Sequence, residues 1–250
     1  MDQTPVFIGC AGWNIPKGSA HRFPGEGTHL DRYARQLGAV EIDSTFSHPH
    51  QPETYARWAA QVPEGFRFAV KIPREVTHLA RLMDPRPLAP FLKGVLNLGE
   101  KLGPCLLQLP PSLAFNPITV ERFLDSLRAL FEGNVACEPR HASWFAPEAG
   151  QMLAQFQVAR VAADPAIRPE GTRPGGWEGL SYYRLHGSPR MYSSAYSQEF
   201  LDGFAGMLAA PVRTAPVWCI FNNTADGAAV ENALDLSKRF PSPSSRKGRS

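Results

Sequence analysis

The chain has 250 residues, 43% hydrophobic and 20% charged, which is enough apolar material for a sizeable core in one large domain or two small ones. Its formal net charge of +3, spread evenly, gives no electrostatic case for nucleic acid or an anionic membrane as partner. The opening MDQTPVFIGCAGW places an acid where an export signal carries basic residues, and no window approaches the roughly 18 to 20 apolar residues of a membrane span, so a cytoplasmic setting is expected.

In chain order, eight short apolar runs read as strands: VFIGCAG from Val6, VEIDSTF from Val40, FRFAVKI from Phe66, CLLQLP from Cys105, VACEPR from Val135, ARVAAD from Ala159, YYRLHG from Tyr182 and VWCIFNN from Val217. The cysteines, Cys10, Cys105, Cys137 and Cys219, fall in or beside these runs without any CxxC pairing, so they read as reduced core residues. Between most strands lie segments with helical spacing, such as Leu30, Tyr33, Ala34 and Leu37, or Phe123, Leu124, Leu127 and Phe131. Strand and helix in alternation imply a parallel sheet, and eight such units in about 250 residues fit a closed (β/α)8 barrel, a TIM-like α/β fold. The segment PAIRPEGTRPGGWEGL from Pro165 is too rich in Gly and Pro for a helix, so a loop replaces the helix after the sixth strand. No repeat or linker divides residues 1–240, which read as one barrel domain, and PSPSSRKGRS from Pro241 (241–250) reads as a disordered basic tail.

Side chains on a barrel strand alternate between the axis and the helix layer, so the apolar set fixes the phase. With Val40 and Ile42 outward, Glu41, Asp43 and Thr45 face the axis; with Phe66, Phe68, Val70 and Ile72 outward, so do Arg67, Ala69 and Lys71. The same rule turns Gln108, Glu138, Arg140, Asp164, Arg184 and His186 inward. The signs nearly balance, so these charges can form a salt-bridge plug; yet apolar side chains usually fill such interiors and are often as stable as an ion-pair network. Their position late in the strands, where barrel enzymes carry their active sites, favours function. Loops at that end add Trp13, Phe46, His48, Trp144, Trp177, Tyr192 and Tyr196, aromatic groups suited to stacking on a sugar ring or nucleobase.

With GCAGWN, VEIDSTF, ETYARWAAQVPEGFRFAVKIPREVTH, KLGPCLLQLPPSL, EPRHASWF, YYRLHG and FNNTADGAAVENA in this order between about Val6 and Leu236, the chain resembles the DUF72 family, the YecE-like proteins. That resemblance implies a TIM barrel of unestablished function. It also implies a polar cluster at Glu41, Ser44, Lys71, Gln108, Glu138, Arg140, His141, Arg184, His186, Asn222 and Asn223. The chain departs from the family pattern in the loop NIPKGSAHRFPGEG, in Asp43 where Asn is usual, and in Pro139 where Phe is usual.

Three chemistries fit these residues. Glu138, Asp164 and His186, with Glu41 or Asp43 opposite, offer ligands for a divalent metal, against which the neighbouring cations and the absence of HxH or HExxH spacing count; no cofactor is identified. Arg140 and Arg184 offer forks for a phosphate or carboxylate, with Lys71 as a point charge. Glu138 with His186 or His141 offers acid/base chemistry, and Glu41 with Glu138 is the one carboxylate pair a retaining glycosidase would need. The expectation is an enzyme of isomerase or hydrolase type, acting on a sugar or sugar phosphate. Its catalytic residues are Glu138, His186, Lys71 and Glu41; Arg140, Arg184, His141, Gln108, Asp43, Ser44, Asn222, Asn223, Trp13 and Trp144 bind the ligand. The alternatives are a non-catalytic metabolite- or nucleotide-binding protein and a metal-dependent phosphodiesterase or nuclease. The expected partner is a small molecule, and the sequence carries no signal of oligomeric state.

Overall fold

The computed structural model describes residues 4–209 and 215–240; the tail expected from Pro241 lies outside them. Its strands are β1 (Val6–Ala11), β2 (Ala39–Ile42), β3 (Arg67–Lys71), β4 (Leu102–Gln108), β5 (Val135–Glu138), β6 (Val158–Arg160), β7 (Ala162–Asp164), β8 (Gly175–Gly176), β9 (Ser181–Leu185) and β10 (Val217–Phe221). The α-helices are α1 (His29–Ala34), α2 (Pro52–Gln61), α3 (Leu88–Val95), α4 (Pro117–Leu130), α5 (Pro147–Gln155), α6 (Gln198–Leu208) and α7 (Ala228–Ser237).

The sheet runs β7-β9-β10-β1-β2-β3-β4-β5-β6-β8, and all its pairs are parallel except the short β6–β8 contact. β6 and β7 are two halves of one stave interrupted at Val161. The first half pairs with β5 and the second with β9, and the Val161 amide donates to Cys137 O across the break, so the ring closes as a TIM-like barrel. Each of the eight apolar runs read from the sequence supplies a stave. Between β7 and β9 the chain forms only a 3-10 turn (Pro169–Thr172) and β8. None of the helices among the described residues is long and apolar enough to cross a membrane.

Local signals account for the helix starts. α1 opens on a capping box in which Asp31 N donates to Thr28 Oγ1 at 3.2 Å and Thr28 N to Asp31 Oδ2 at 2.7 Å. Pro begins α2, α4 and α5, where its missing N–H costs nothing, and Asn116 and Ser197 cap α4 and α6 with side-chain oxygens.

Two apolar layers follow from the alternation. Outward side chains such as Val40, Ile42, Phe68, Val70, Val135 and Cys137 pack under the helices. Inside the ring, Ala39, Ala69, Ala136 and Ala159 surround Tyr182 and Trp218, whose rings stack at 6.1 Å, with Phe7 against Trp218 at 4.9 Å. Trp177 joins this inner cluster, and its amide donates to Val158 O at the start of β6. Trp177 therefore closes the N-terminal end of the barrel instead of lining the mouth: the loop after β7 folds back along β6 before entering β9. Asp164 also departs from the expected phase. Val161 takes the inward position, so Ala162 and Asp164 share the outward side with Tyr183, and Tyr196 Oη donates to Asp164 Oδ2 at 2.7 Å.

One phenol stitches the first two staves. Tyr33 Oη accepts from Cys10 N at 2.8 Å and donates to Ala39 O at 3.0 Å, replacing a direct ladder bond. Gly9 allows the approach, since a Cβ there would stand 2.0 Å from Ala39 O. Tyr33→Phe leaves both buried backbone groups without a partner and should cost about 2 kcal/mol in chemical denaturation, with the barrel otherwise retained by circular dichroism.

Candidate active site at the barrel mouth

The inward phase brings β2, β5 and β9 together through their charges. Arg184 on β9 reaches across the axis: Nη2 donates to Glu41 Oε1 at 2.6 Å, Nε to Glu41 Oε2 at 3.1 Å, and Nη1 to Glu138 Oε2 at 2.5 Å. Its cross-strand neighbours Ala163 and Ile220, and those of Glu41, Ala11 and Ala69, carry no competing polar groups. Tyr182 lies one layer deeper and donates its hydroxyl to Glu41 Oε2 at 2.8 Å. Glu41, Glu138, Arg184 and Tyr182 are buried, so every charge in this chain depends on its partners.

Toward the mouth, Glu138 Oε1 gathers two more groups. Arg140 Nη2 donates to it at 2.7 Å, and His186 Nε2 lies 2.8 Å away. Glu138 can only accept and Asn222 Nδ2, 3.2 Å from Nδ1, can only donate, so a neutral His186 carries its proton on Nε2; Arg140 Nη2, 2.8 Å from that nitrogen, touches it without a hydrogen bond. Burial pushes His186 below its ordinary value of 6.5, against the pull of Glu138, so the ring is neutral at pH 7.

The two glutamates are driven apart. Burial acts to raise Glu138, but Arg184, His186 and Arg140 together hold it well below the usual carboxylate range. At Glu41 burial, aided by the nearby Asp43 charge, outweighs Arg184 and Lys71 and raises the carboxyl. Glu138 is thus an anion that resists protonation. It makes a poor proton carrier and a good anchor for an imidazole. Arg184 stands between the carboxylates, so the pair does not flank an open space of the kind a retaining glycosidase needs.

At the rim, Lys71 Nζ donates to Asp43 Oδ1 at 2.9 Å and sits 4.0 Å from the centre of the Phe46 ring. Gln108, beside Glu138 in the sheet, donates from Nε2 to Leu109 O. His141 Nδ1 accepts from the Ser143 amide at 3.2 Å and faces Ser143 Oγ at 2.8 Å. Tyr192 covers His186 edge to face at 5.6 Å.

Several expected site residues lie elsewhere. Trp144 is fully buried, its Nε1 donating to Leu113 O at 2.9 Å, because the 3-10 turn Ala142–Phe145 rolls it inward beneath the loop after β4. Asn223 is also buried and holds neighbouring loops through Ser194 O and Asn232 Oδ1. Glu41 and Arg184 lie under the mouth, where they hold Glu138 and touch no open surface. Ser44 faces His50 Nε2 at 2.8 Å, and His50 packs on Trp58, as does Trp13; they form a group beside the charged chain. Arg67 faces inward but at the N-terminal end of β3, where it donates to Glu64 O and Phe66 O. With Asp164 turned outward, the Glu138–Asp164–His186 metal set is not assembled. Among the described residues no group of three His, Cys, Asp or Glu is placed to hold a metal ion. Tyr182 is the residue the sequence reading missed. Its parity with Arg184 and His186 points it inward, but a phenol in an apolar run is easily taken for core.

Comparison with known proteins places this geometry in a family. The model of DUF72, described as a protein of unknown function, matches residues 7–248. UPF0759 protein YecE of Escherichia coli K12 is 33% identical over 143 residues, 56% of this chain and 50% of YecE, so the match spans half of that relative's length. UPF0759 protein YunF of Bacillus subtilis strain 168 is 23% identical over 92% of this chain and 93% of its own. Among solved structures, a DUF72 family protein from Enterococcus faecalis V583 superposes with a TM-score of 0.79 over 94% of each chain at 22% identity, a likeness of fold.

The buried imidazole has a signature in stability. Because its folded pKa lies below the unfolded one, His186 stabilises the protein fully above about pH 6.5, and that contribution is lost as pH falls. His50 and His78, also lowered by burial, act with the same sign. Scanning calorimetry should show a melting temperature falling from about pH 7 to pH 5, with a shallower slope for His186→Gln.

Proposed function

The chain belongs to the DUF72 family, and from that premise we propose that it is an enzyme using acid/base chemistry at the barrel mouth on a small polar ligand, a sugar or sugar phosphate. One observation carries the reading: a buried Glu138 held by two guanidiniums lies against His186 Nε2, and Asn222 Nδ2 faces the other ring nitrogen. A carboxylate that orients an imidazole and leaves its other nitrogen basic is a recurring device for moving protons. In this arrangement His186, buried beneath Tyr192, takes a proton on Nδ1 from a ligand group that displaces Asn222, and returns it. Glu138 positions the ring, and Glu41 and Arg184 position Glu138. Lys71 and Arg140 stabilise negative charge that develops on the ligand. Asn222 holds Nδ1 through the longest contact in the set, one a substrate group can replace. Tyr192 shields the imidazole from water. An isomerase or a hydrolase fits these roles, with the barrel as one domain within residues 1–240.

The cost of the network supports a functional role. A buried ion-pair chain is often no more stabilising than apolar packing of the same volume, so stability alone gives little reason to keep one. A second reading, a metabolite- or nucleotide-binding protein, uses the same mouth without turnover, and the full saturation of Glu41 and Arg184 is compatible with it.

A panel of sugars and sugar phosphates screened by thermal shift, followed by turnover assays on each hit, separates the two. His186→Gln should lower turnover by about 10²- to 10⁴-fold while the ligand still raises the melting temperature. Lys71→Met should weaken the ligand shift itself. A ligand that stabilises the wild type but is never converted favours the binding protein, and turnover that survives His186→Gln removes the acid/base reading.

A further inference from the structure

We propose that the mouth captures an oxyanionic group of its ligand, a carboxylate or a phosphoryl group, between Arg140 and Lys71, with Asp43 as the internal anion that yields its place; this rests on the reading of the mouth as a ligand site. The first support is what Arg140 leaves unused. Only Nη2 engages the inner chain, at Glu138 and beside His186, and among the described residues Nε and Nη1 make no hydrogen bond. The side chain is 10% exposed, so Nε and Nη1, on opposite edges of the guanidinium, remain two separate charge-assisted donors for oxygens of a carboxylate or phosphate.

His141, next in the chain, is fixed as a donor. Ser143 Oγ already accepts from Phe115 N at 2.8 Å, so its own proton is free for His141 Nδ1, where the Ser143 amide also donates. With Nδ1 occupied by two donors, the imidazole proton sits on Nε2. Lys71 is the third donor. In the sheet Lys71 is level with Leu106 and Ala136, and Arg140 follows four residues beyond Ala136, so the two cations approach the opening from either side of β4.

Charge balance points to Asp43 as a stand-in. Glu41 and Glu138 are matched by Arg184 and Arg140, and Asp43 matches Lys71. Asp43 is 44% exposed while Lys71 is 10% exposed, so the carboxylate can swing into water while the ammonium stays. An incoming oxyanion then replaces one anion with another and keeps the mouth neutral. A neutral polyol cannot do this, since displacing Asp43 would leave Lys71 uncompensated.

The test follows the backbone amides of Arg140 and His141 by ¹H–¹⁵N NMR at constant ionic strength during titration with inorganic phosphate, acetate and glucose. Wild type, Asp43→Asn and Arg140→Lys are compared. Phosphate or acetate should move both signals, the responding anion identifying a phosphoryl or a carboxylate source. Asp43→Asn should tighten that binding about two- to fivefold, the worth of an exposed ion pair, and Arg140→Lys should weaken it by removing the directed Nε and Nη1 donors while keeping the charge. If glucose moves the signals and neither anion does, the oxyanion inference falls and the ligand-site reading stands. If no probe moves them in any variant, both fall. Anion binding that Asp43→Asn leaves unchanged overturns the displacement of Asp43.

Discussion

Arg184 spends all three of its guanidinium nitrogens on two buried glutamates, and the interior of the barrel is arranged around that requirement. An unpaired guanidinium at this depth would cost several kcal/mol, so Glu41 and Glu138 must both stand at strand ends facing the axis. Small side chains must clear its path across the ring, which Ala11, Ala69 and Ala163 do. Tyr182 completes Glu41 from below, while Arg140 and His186 complete Glu138 from above. The aromatic plug of Phe7, Tyr182 and Trp218 fills the other end, so polar chemistry is confined to the C-terminal mouth.

The same arrangement separates the fates of two chemically identical side chains. Glu138 has three partners that favour its anion, and Glu41 has one guanidinium and a phenol. Each accepts three hydrogen bonds and both are buried, so the second guanidinium and the imidazole at Glu138, against the nearby Asp43 charge at Glu41, drive their proton affinities in opposite directions. This gives the mouth a permanent negative anchor, a neutral imidazole bonded to it, and cationic side chains at the opening. Groups pushed apart in this way are the usual basis for dividing acid, base and orienting roles among residues.

Much of this was legible in the sequence because alternation is a strict rule. The parity of Phe66, Phe68, Val70 and Ile72 turns Lys71 inward, and Val40 and Ile42 do the same for Glu41; the ion pairs of Lys71 and Glu41 follow from that phase. The cysteines are buried and free, as their strand positions suggest. Failures came where the rule loses its grip. Asp164 follows an interruption at Val161 that divides one stave into two, so its side could not be read by counting from an assumed phase. Trp144 and Trp177 lie in irregular segments, where sequence distance says little about direction; one rolls under the rim and the other is carried to the far end. Ser44 sits just beyond β2 in a 3-10 turn, where the strand's period of two no longer applies. The division of labour between Glu138 and His186 was beyond sequence, since it depends on which carboxylate gathers the second guanidinium and the imidazole.

The site turns on an ionised Glu138 that holds a neutral His186 by its Nε2–H. NMR titration with ¹³C-labelled glutamate carboxyls and ¹⁵N-labelled histidine rings measures both states in one sample. The expected result is a Glu138 carboxyl that stays ionised to well below pH 4.5 and a His186 ring that is neutral, protonated on Nε2, at pH 7. A His186 imidazolium at pH 7, or a Glu138 carboxyl that takes up its proton above pH 4.5, would contradict it.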